Sequence, residues 1–150
     1  MSLQRIAFIC SGNICRSPMA AVLAPPILEE ASIDHRIISA GTLHIQGRKA
    51  ASNAITAVAE LGLELDSHRS QGASVPLLRF ADHLVVMAPK HERYLLEADP
   101  QLAPKIVRMW EWADDPSMEM IPDPVGHDLE VFRGSRDLIK RCLQNWIAQL

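Results

Sequence analysis

The feature that most constrains the fold is an apolar run that ends in a short turn containing two cysteines. Residues 6–9 read Ile-Ala-Phe-Ile, and residues 10–18 follow as Cys-Ser-Gly-Asn-Ile-Cys-Arg-Ser-Pro. A short apolar run bounded by Gly12 predicts a buried strand. Ser17 followed by Pro18 predicts a helix start, because Ser is a favoured N-cap and Pro fits the first helical position. The segment therefore predicts a strand, a turn at which Gly12 permits a left-handed backbone, and a helix.

The turn between this strand and this helix suits an anion. Successive backbone N–H groups can form an anion-binding nest, and the helix N-terminus adds roughly half a positive charge. Arg16 supplies a planar guanidinium that matches two phosphate oxygens. A thiol beside Arg and a helix N-terminus ionises readily, so Cys10 is the predicted thiolate nucleophile, with the Ser17 hydroxyl as a donor to its sulfur. The competing interpretation is a buried strand-end Cys with an incidental surface Arg.

These residues resemble the low-molecular-weight protein-tyrosine phosphatases. The likeness runs from Phe8 to Pro18 and continues in order along nearly the whole chain. The further matching residues are Ser39-Ala40-Gly41-Thr42, Gly47, Gly62, His68, Phe80-Ala81-Asp82, Met87 and Asp123-Pro124. The resemblance implies a three-layer α/β/α fold with a four-stranded parallel sheet and a phosphate-binding loop after the first strand. It also implies hydrolysis of phosphate monoesters through a phosphocysteine, with no metal and no cofactor.

The resemblance also assigns roles to individual residues. Cys10 is implied as the nucleophile, Arg16 as the phosphate clamp and Asp123 as the general acid. The implied phosphate-binding loop comprises Ser11, Gly12, Asn13, Ile14, Cys15, Arg16 and Ser17. The implied loop-supporting residues are Asn13, Ser17, Ser39 and His68. Cys15 is implied as a vicinal thiol that forms a reversible disulfide with Cys10 under oxidation.

The composition of the chain limits the classes of protein to which it can belong. A chain of 150 residues predicts a single domain over 1–150, and 48% apolar with 22% charged residues predicts a globular protein. No apolar stretch is long enough to span a membrane, and the N-terminus lacks the pattern of a signal peptide. Three cysteines, two of them in one loop, favour a reducing cytoplasm over a disulfide scaffold. The net charge of −3 argues against nucleic-acid binding, and the histidines show no metal-ligand spacing.

Strands that alternate with helices predict a parallel α/β sheet. The predicted strands are residues 5–10, 35–40, 82–87 and 105–108. The predicted helices begin at Ser17 and cover 50–61, 89–98 and 128–149, with a loop over 113–126. Pro25-Pro26 predicts a break or kink near Ala24 in the first helix. Four basic residues of the last helix, Arg133, Arg136, Lys140 and Arg141, are predicted to form a solvated face.

Three Asp-Pro pairs compete for the role of general acid, at Asp99, Asp115 and Asp123. Each pair also fits an ordinary surface turn, and residue chemistry alone does not choose between them. The resemblance favours Asp123 because of its distance from the last helix and the nearby Gly126. Asp99 lies late in a predicted helix, which disfavours it.

The mouth of the site departs from the family pattern. In many relatives two aromatic residues follow the Asp-Pro pair, and another follows Ser-Ala-Gly-Thr. In this chain the corresponding residues look like Val125-Gly126 and Leu43-His44. The predicted mouth therefore consists of Leu43, His44, Val125 and His127. The missing aromatic walls would stack on a phosphotyrosine ring, so phosphotyrosine, related aryl phosphates and phosphoarginine all stay open as substrates.

Ile14 resembles the tyrosine-type members, since arginine-phosphate phosphatases of this fold tend to have Thr there. Thiol-linked arsenate reduction is an alternative that needs a further thiol, and the only spare one, Cys142, lies on a predicted core helix. A non-catalytic phosphoprotein binder is the remaining alternative, and nothing favours it. The implied partner is a phosphorylated protein, a tyrosine kinase being one candidate, acted on by a monomer or weak dimer.

Overall fold

The computed structural model describes residues 2–150, and a parallel sheet runs through its centre. The strands are β1 (Gln4–Cys10), β2 (His35–Gly41), β3 (His83–Val86) and β4 (Ile106–Arg108). Their order across the sheet is β2-β1-β3-β4, and every pairing is parallel. Because β1 is paired on both sides, its residues 6–9 are fully buried. The predicted α/β fold with a four-stranded parallel sheet is confirmed.

The helices that surround the sheet are α1 (Arg16–Glu30), α2 (Ser52–Ala59), α3 (Val75–Phe80), α4 (Pro89–Ala98) and α5 (Leu129–Ile147). Two 3₁₀ turns cover Pro100–Lys105 and Met109–Trp112. Helix α3 and the two 3₁₀ turns were not predicted, because elements this short carry no readable hydrophobic period. None of the helices within residues 2–150 combines the length and the apolar character needed to cross a bilayer.

Helix α1 continues through Pro25 and Pro26, so a break near Ala24 is wrong, while a kink there stays a prediction. Each proline removes the N–H that would bond a carbonyl four residues earlier, at Ala21 and Val22. Both of those residues are only half-buried and Pro26 is exposed, so water can reach the freed carbonyls. The opposite face of the helix is buried in the core, and this packing keeps the helix in one piece.

The prediction that Arg136 lies on a solvated face of the last helix is wrong. Arg136 is 8% exposed, whereas the sequence predicted a solvated basic face. Its guanidinium donates to the Ala57 carbonyl at 2.8 Å and to the Glu60 carboxylate at 2.7 Å. Both partners lie at the end of α2, where carbonyls lack helical partners. A buried arginine with these partners joins α5 to α2, and the helical period of α5 alone could not show it.

The parallel sheet also determines where the functional residues meet. The carboxyl ends of β1, β2 and β3 lie at one edge of the sheet. The loops that follow these three strands, over 11–15, 42–51 and 87–88, therefore converge at that edge. This is the edge at which open α/β sheets bind ligands.

Pro26→Ala is expected to raise the free energy of unfolding by about 1–2 kcal/mol. The substitution restores a helical N–H and relieves the ring clash, and these gains exceed the lost rigidity of the unfolded chain. Urea denaturation measures the difference. Glu29→Ala, an exposed change in the same helix, is the control and should stay within about 0.5 kcal/mol. An unchanged or lower stability in Pro26→Ala would contradict the account of α1.

Candidate active site

The loop over residues 11–15 joins β1 to α1. Its left-handed residue is Asn13, with φ of 56°, and the prediction that Gly12 takes this conformation is wrong. Asn tolerates positive φ better than most residues, because its short polar side chain can bond locally. Helix α1 begins at Arg16 after the N-cap Cys15, which makes no side-chain cap. Ser17 therefore lies inside the first turn, so its prediction as the N-cap is wrong, and its hydroxyl is available for other contacts.

The side chain and carbonyl of Asn13 are bonded on several sides. Its amide nitrogen donates to Ser17 Oγ at 2.8 Å and to Ser39 Oγ at 2.9 Å. Its Oδ1 accepts from the Gln71 backbone N–H at 3.0 Å, and its carbonyl accepts from His68 Nε2 at 2.7 Å. The four residues predicted to support the loop thus meet in one network, which also includes Gln71. These bonds hold Asn13 in a conformation that its backbone alone disfavours.

The loop lies directly on the end of β2. A Cβ atom at Gly41 would come 2.5 Å from the Ser11 carbonyl oxygen and 2.9 Å from the Asn13 nitrogen. The Leu43 N–H then donates to the same Ser11 carbonyl at 3.0 Å. Glycine is required at position 41 because any side chain would push the loop off the sheet.

Cys10 lies at the floor of the loop and is 3% exposed. Its Sγ is 2.9 Å from Ser17 Oγ. Because Ser17 Oγ accepts a hydrogen bond from Asn13, its own hydrogen is free to be donated to the sulfur. Within residues 2–150, the backbone N–H groups of 12–15 make no hydrogen bond, which leaves them available for an anion. The arrangement can stabilise negative charge on the sulfur and on oxygens above it.

The second cysteine of the loop has a different character. Burial, and after it the negative charges of Asp123 and Cys10, raise the pKa of Cys15 to about 12. Cys15 therefore stays a thiol at neutral pH and is a poor nucleophile. Cys142, on α5, is fully buried, and burial raises its pKa to about 11.

Arg16 is 1% exposed and is held by groups from a distant part of the chain. One terminal nitrogen, Nη1, donates to the Ile121 carbonyl at 2.9 Å, and Nη2 lies 3.4 Å from Asp123 Oδ2. Its Nε is buried and has no hydrogen-bond partner. An unpartnered buried donor on a guanidinium is costly, and a bound anion would satisfy it.

Of the three Asp-Pro candidates, Asp123 is the one beside Arg16. Its side chain is 35% exposed, and its Oδ1 accepts the Val125 N–H at 3.1 Å. The Asp115 carboxylate instead bonds Ser117 in an exposed turn. Asp99 caps the following 3₁₀ turn and pairs with Arg79. Neither of these two carboxylates lines the cavity described next.

A cavity of about 180 Å³ opens above the loop. Its lining residues are Cys10, Ser11, Gly12, Ile14, Cys15, Arg16, Leu43, Ile45, Asp123 and Val125. Of the predicted mouth residues, Leu43 and Val125 line the cavity, whereas His44 and His127 do not. His44 is bonded to the Tyr94 hydroxyl, and the His127 carbonyl accepts from Asn53. Ile45 was missed, although it follows the predicted mouth residues directly.

His91 is the most deeply buried polar residue that the sequence did not reveal. It lies in the first turn of α4, is fully buried, and its Nε2 is 2.9 Å from Ser11 Oγ. Burial, with the positive charges of Arg16 and Lys90, lowers the pKa of His91 to about 3, so the ring is neutral. Burial likewise lowers the pKa of His68. Among the described residues 2–150, no group of His, Cys, Asp and Glu could hold a metal ion.

Asn13→Ala is expected to lower the free energy of unfolding by about 2–4 kcal/mol, because three side-chain hydrogen bonds are lost and positive φ is left to a residue that disfavours it. Asn13→Gly loses the same bonds but adopts positive φ readily, so it should be about 1 kcal/mol more stable than Asn13→Ala. Urea denaturation of the three proteins measures both differences. Wild-type stability in Asn13→Ala would contradict the role of this network.

Known proteins that are similar to this chain agree with the site described above. A family described as "Low molecular weight phosphotyrosine protein phosphatase" matches residues 5–150. The low molecular weight protein-tyrosine-phosphatase Ptp of Acinetobacter johnsonii is 30% identical over 150 residues, with 100% of both chains covered. A protein-arginine-phosphatase of Geobacillus stearothermophilus is 31% identical, covering 97% of this chain and 95% of that protein.

Solved structures agree with these matches. The low molecular weight protein tyrosine phosphatase from T. tengcongensis has a TM-score of 0.90 at 30% identity, with 98% of this chain and 99% of that chain covered. The structure of a YwlE mutant from Bacillus subtilis also has a TM-score of 0.90, at 27% identity and 97% coverage of both chains. Since the family match extends over almost the entire sequence, this chain belongs to the low-molecular-weight phosphotyrosine protein phosphatase family.

Proposed function

We propose that this protein is a cysteine-dependent phosphomonoesterase that removes phosphate from phosphorylated tyrosine in proteins or from related aryl phosphates. The observation that carries the proposal is the cavity above residues 11–15. Cys10 and Asp123 line it together with Arg16, whose buried Nε has no partner. A phosphoryl group in this cavity would meet a sulfur nucleophile, a guanidinium and a carboxyl group at once.

The first step forms the phosphocysteine. The Cys10 thiolate attacks phosphorus, the P–S bond forms and the P–O bond to the leaving group breaks. Loop N–H groups and the Arg16 guanidinium bind the equatorial oxygens, on which charge spreads in the transition state. Asp123, in its protonated form, gives its proton to the leaving oxygen. Asp123 lines the same cavity as Cys10 and Arg16, so its carboxyl can reach the leaving oxygen of a phosphoryl group bound there, which supports this assignment.

The second step releases phosphate. A water molecule attacks the phosphocysteine, and the Asp123 carboxylate takes its proton. The P–S bond breaks and the Cys10 sulfur leaves as a thiolate. The Ser17 hydroxyl, 2.9 Å from this sulfur, stabilises the negative charge by donating its hydrogen. Because Asn13 fixes the Ser17 oxygen from the other side, the donor is already oriented when the sulfur becomes the leaving group.

The cavity walls favour an aryl phosphate. Ile14, Leu43, Ile45 and Val125 surround the entrance, and Leu43 and Val125 are more than half exposed. An aromatic ring would bury apolar surface against these aliphatic side chains, although it would gain no stacking. The guanidinium of phosphoarginine would instead bring several N–H donors against these walls. Ser11 and Asp123 are the lining side chains that could accept them.

Phosphoarginine is the second candidate substrate. The similarity to a protein-arginine-phosphatase, at 31% identity, is as high as the similarity to proteins named tyrosine phosphatases. The open aliphatic mouth also does not require a flat ring. Thiol-linked arsenate reduction is not favoured, because the spare thiol of Cys142 is fully buried and cannot pass a disulfide outward. The proposed setting is the cytoplasm, which suits three free cysteines, with the enzyme a monomer or weak dimer.

Turnover of a phosphotyrosine peptide and a phosphoarginine peptide of the same sequence tests the proposed function. Wild-type protein should hydrolyse the phosphotyrosine peptide with a kcat/KM at least about tenfold higher, because a ring desolvates against aliphatic walls at less cost than a guanidinium. Cys10→Ser should lose activity on both peptides by about 10³-fold or more. Activity that survives in Cys10→Ser would refute Cys10 as nucleophile, and the reverse preference would assign the enzyme to phosphoarginine.

Asp123→Asn should lower kcat/KM, which covers only the steps up to departure of the leaving group, by about 10²–10⁴-fold for phenyl phosphate, whose leaving oxygen needs a proton. For p-nitrophenyl phosphate, whose leaving group departs without one, the loss should be much smaller. Asp115→Asn is the matched control, since its carboxylate bonds Ser117 away from the cavity, and both rates should match wild type. Steady-state kinetics on the two esters measure the contrast. Equal losses on both esters, or a loss in Asp115→Asn, would overturn the assignment of Asp123.

A further inference from the structure

The contact between His91 and Ser11 takes no part in the mechanism above. Ser11 belongs to the loop and lines the cavity, and its Oγ is 2.9 Å from Nε2 of the fully buried His91. This contact joins the first turn of α4 to the loop after β1, although 80 residues separate the two positions. Within residues 2–150, it is the only hydrogen bond that Ser11 Oγ makes.

The surroundings of His91 select its tautomer. The other ring nitrogen, Nδ1, is buried and has no hydrogen-bond partner. A proton on Nδ1 would leave a buried N–H donor unsatisfied, which proteins tolerate less well than an unsatisfied acceptor. Burial and the positive charges of Arg16 and Lys90, which lower the pKa of His91 to about 3, oppose a proton on both nitrogens. His91 therefore carries its proton on Nε2 and donates it to Ser11 Oγ.

The direction of this bond decides what the serine can do. A hydroxyl that accepts from His91 keeps its own hydrogen for another acceptor. Because Ser11 lines the same cavity as Cys10 and Arg16, that acceptor can be an oxygen of a bound phosphoryl group. With the opposite tautomer, the Ser11 hydroxyl would donate its hydrogen to Nε2 of His91 and could not donate it to a bound ligand. The tautomer of His91 thus makes the hydroxyl of Ser11 a donor toward the cavity.

We propose that the Ser11 hydroxyl donates a hydrogen bond to a phosphoryl oxygen of the substrate, and that His91 is a positioning residue that orients this hydroxyl. The inference rests on the proposed phosphatase function, since it concerns the same cavity. It adds a side-chain donor to the backbone N–H groups of the loop. It also gives helix α4, which lies outside the motif over residues 10–18, a part in phosphate binding.

Binding of inorganic phosphate to the intact protein tests the proposal without requiring turnover. Ser11→Ala should raise the Kd for phosphate about 10- to 100-fold, the usual effect of one hydrogen bond to a charged group. His91→Leu should raise it about 3- to 10-fold, because the hydroxyl is then free to turn away. His91→Gln, whose side-chain amide can place an N–H near the position of Nε2, should stay within about twofold of wild type. Glu97→Gln, an exposed change in α4, is the matched control and should leave Kd unchanged.

The double variant separates positioning from packing. If His91 acts through the hydroxyl, His91→Leu should add less than about twofold to the Kd of Ser11→Ala. An equal effect of His91→Leu in both backgrounds would overturn the positioning role. Wild-type affinity in Ser11→Ala would overturn the whole proposal. Circular dichroism checks that each variant is folded. If His91→Leu is not folded, His91→Gln replaces it in both backgrounds. A Kd more than about fivefold above wild type in the single variant His91→Gln would then overturn the positioning role.

The two proposals fail in different ways. Weaker phosphate binding in Ser11→Ala, together with no turnover of any phosphopeptide by wild type, would refute the phosphatase function and leave the Ser11 donor intact. Normal turnover by wild type with unchanged phosphate affinity in Ser11→Ala would refute the Ser11 donor alone. A wild-type protein that binds no phosphate would overturn both.

Discussion

The hydrogen bonds of Asn13 are the interaction on which the rest of the site depends. The N–H groups of residues 12–15 make no hydrogen bond, so backbone bonding holds the loop only through its carbonyls and side chains must do the rest. Asn13 does this from a left-handed conformation, with Ser17, Ser39 and Gln71 as partners of its side chain. The same amide orients the hydroxyl that faces the Cys10 sulfur. Loop shape and sulfur environment therefore depend on one side chain.

Charge at the site is local and opposes the net charge of the protein. The chain carries a formal charge of −3, yet the cavity floor combines the Arg16 guanidinium with free N–H groups at a helix start. Arg16 is almost fully buried, which is costly unless its donors are satisfied. The Ile121 carbonyl and Asp123 satisfy part of the guanidinium, while Nε is left for an anion. A bound anion would thus supply the partner that Arg16 Nε lacks in the folded protein.

Chemistry and selectivity are placed on different parts of the fold. Most of the residues proposed for phosphoryl transfer lie at the end of β1, in the loop over 11–15 and at the start of α1. The sheet and α4 contact this loop. The residues at the entrance, including Leu43, Ile45 and Val125, come from loops that follow β2 and precede α5. The side chains of Leu43, Ile45 and Val125 can therefore vary without a change in the loop over 11–15. This separation agrees with a family whose members include proteins named as tyrosine phosphatases and as arginine phosphatases.

The sequence by itself determined the strand, turn and helix around Cys10 and Arg16, and with them the parallel α/β fold and the family. These features are local, so motif and hydrophobic period record them directly. Only the tertiary structure put the left-handed turn at Asn13 rather than Gly12, brought Asp123 to Arg16, carried α1 through its two prolines and buried Arg136 and His91. The physical reason is that each of these outcomes depends on groups from separate elements, whose meeting is decided by the order of the strands and the packing of the helices on them.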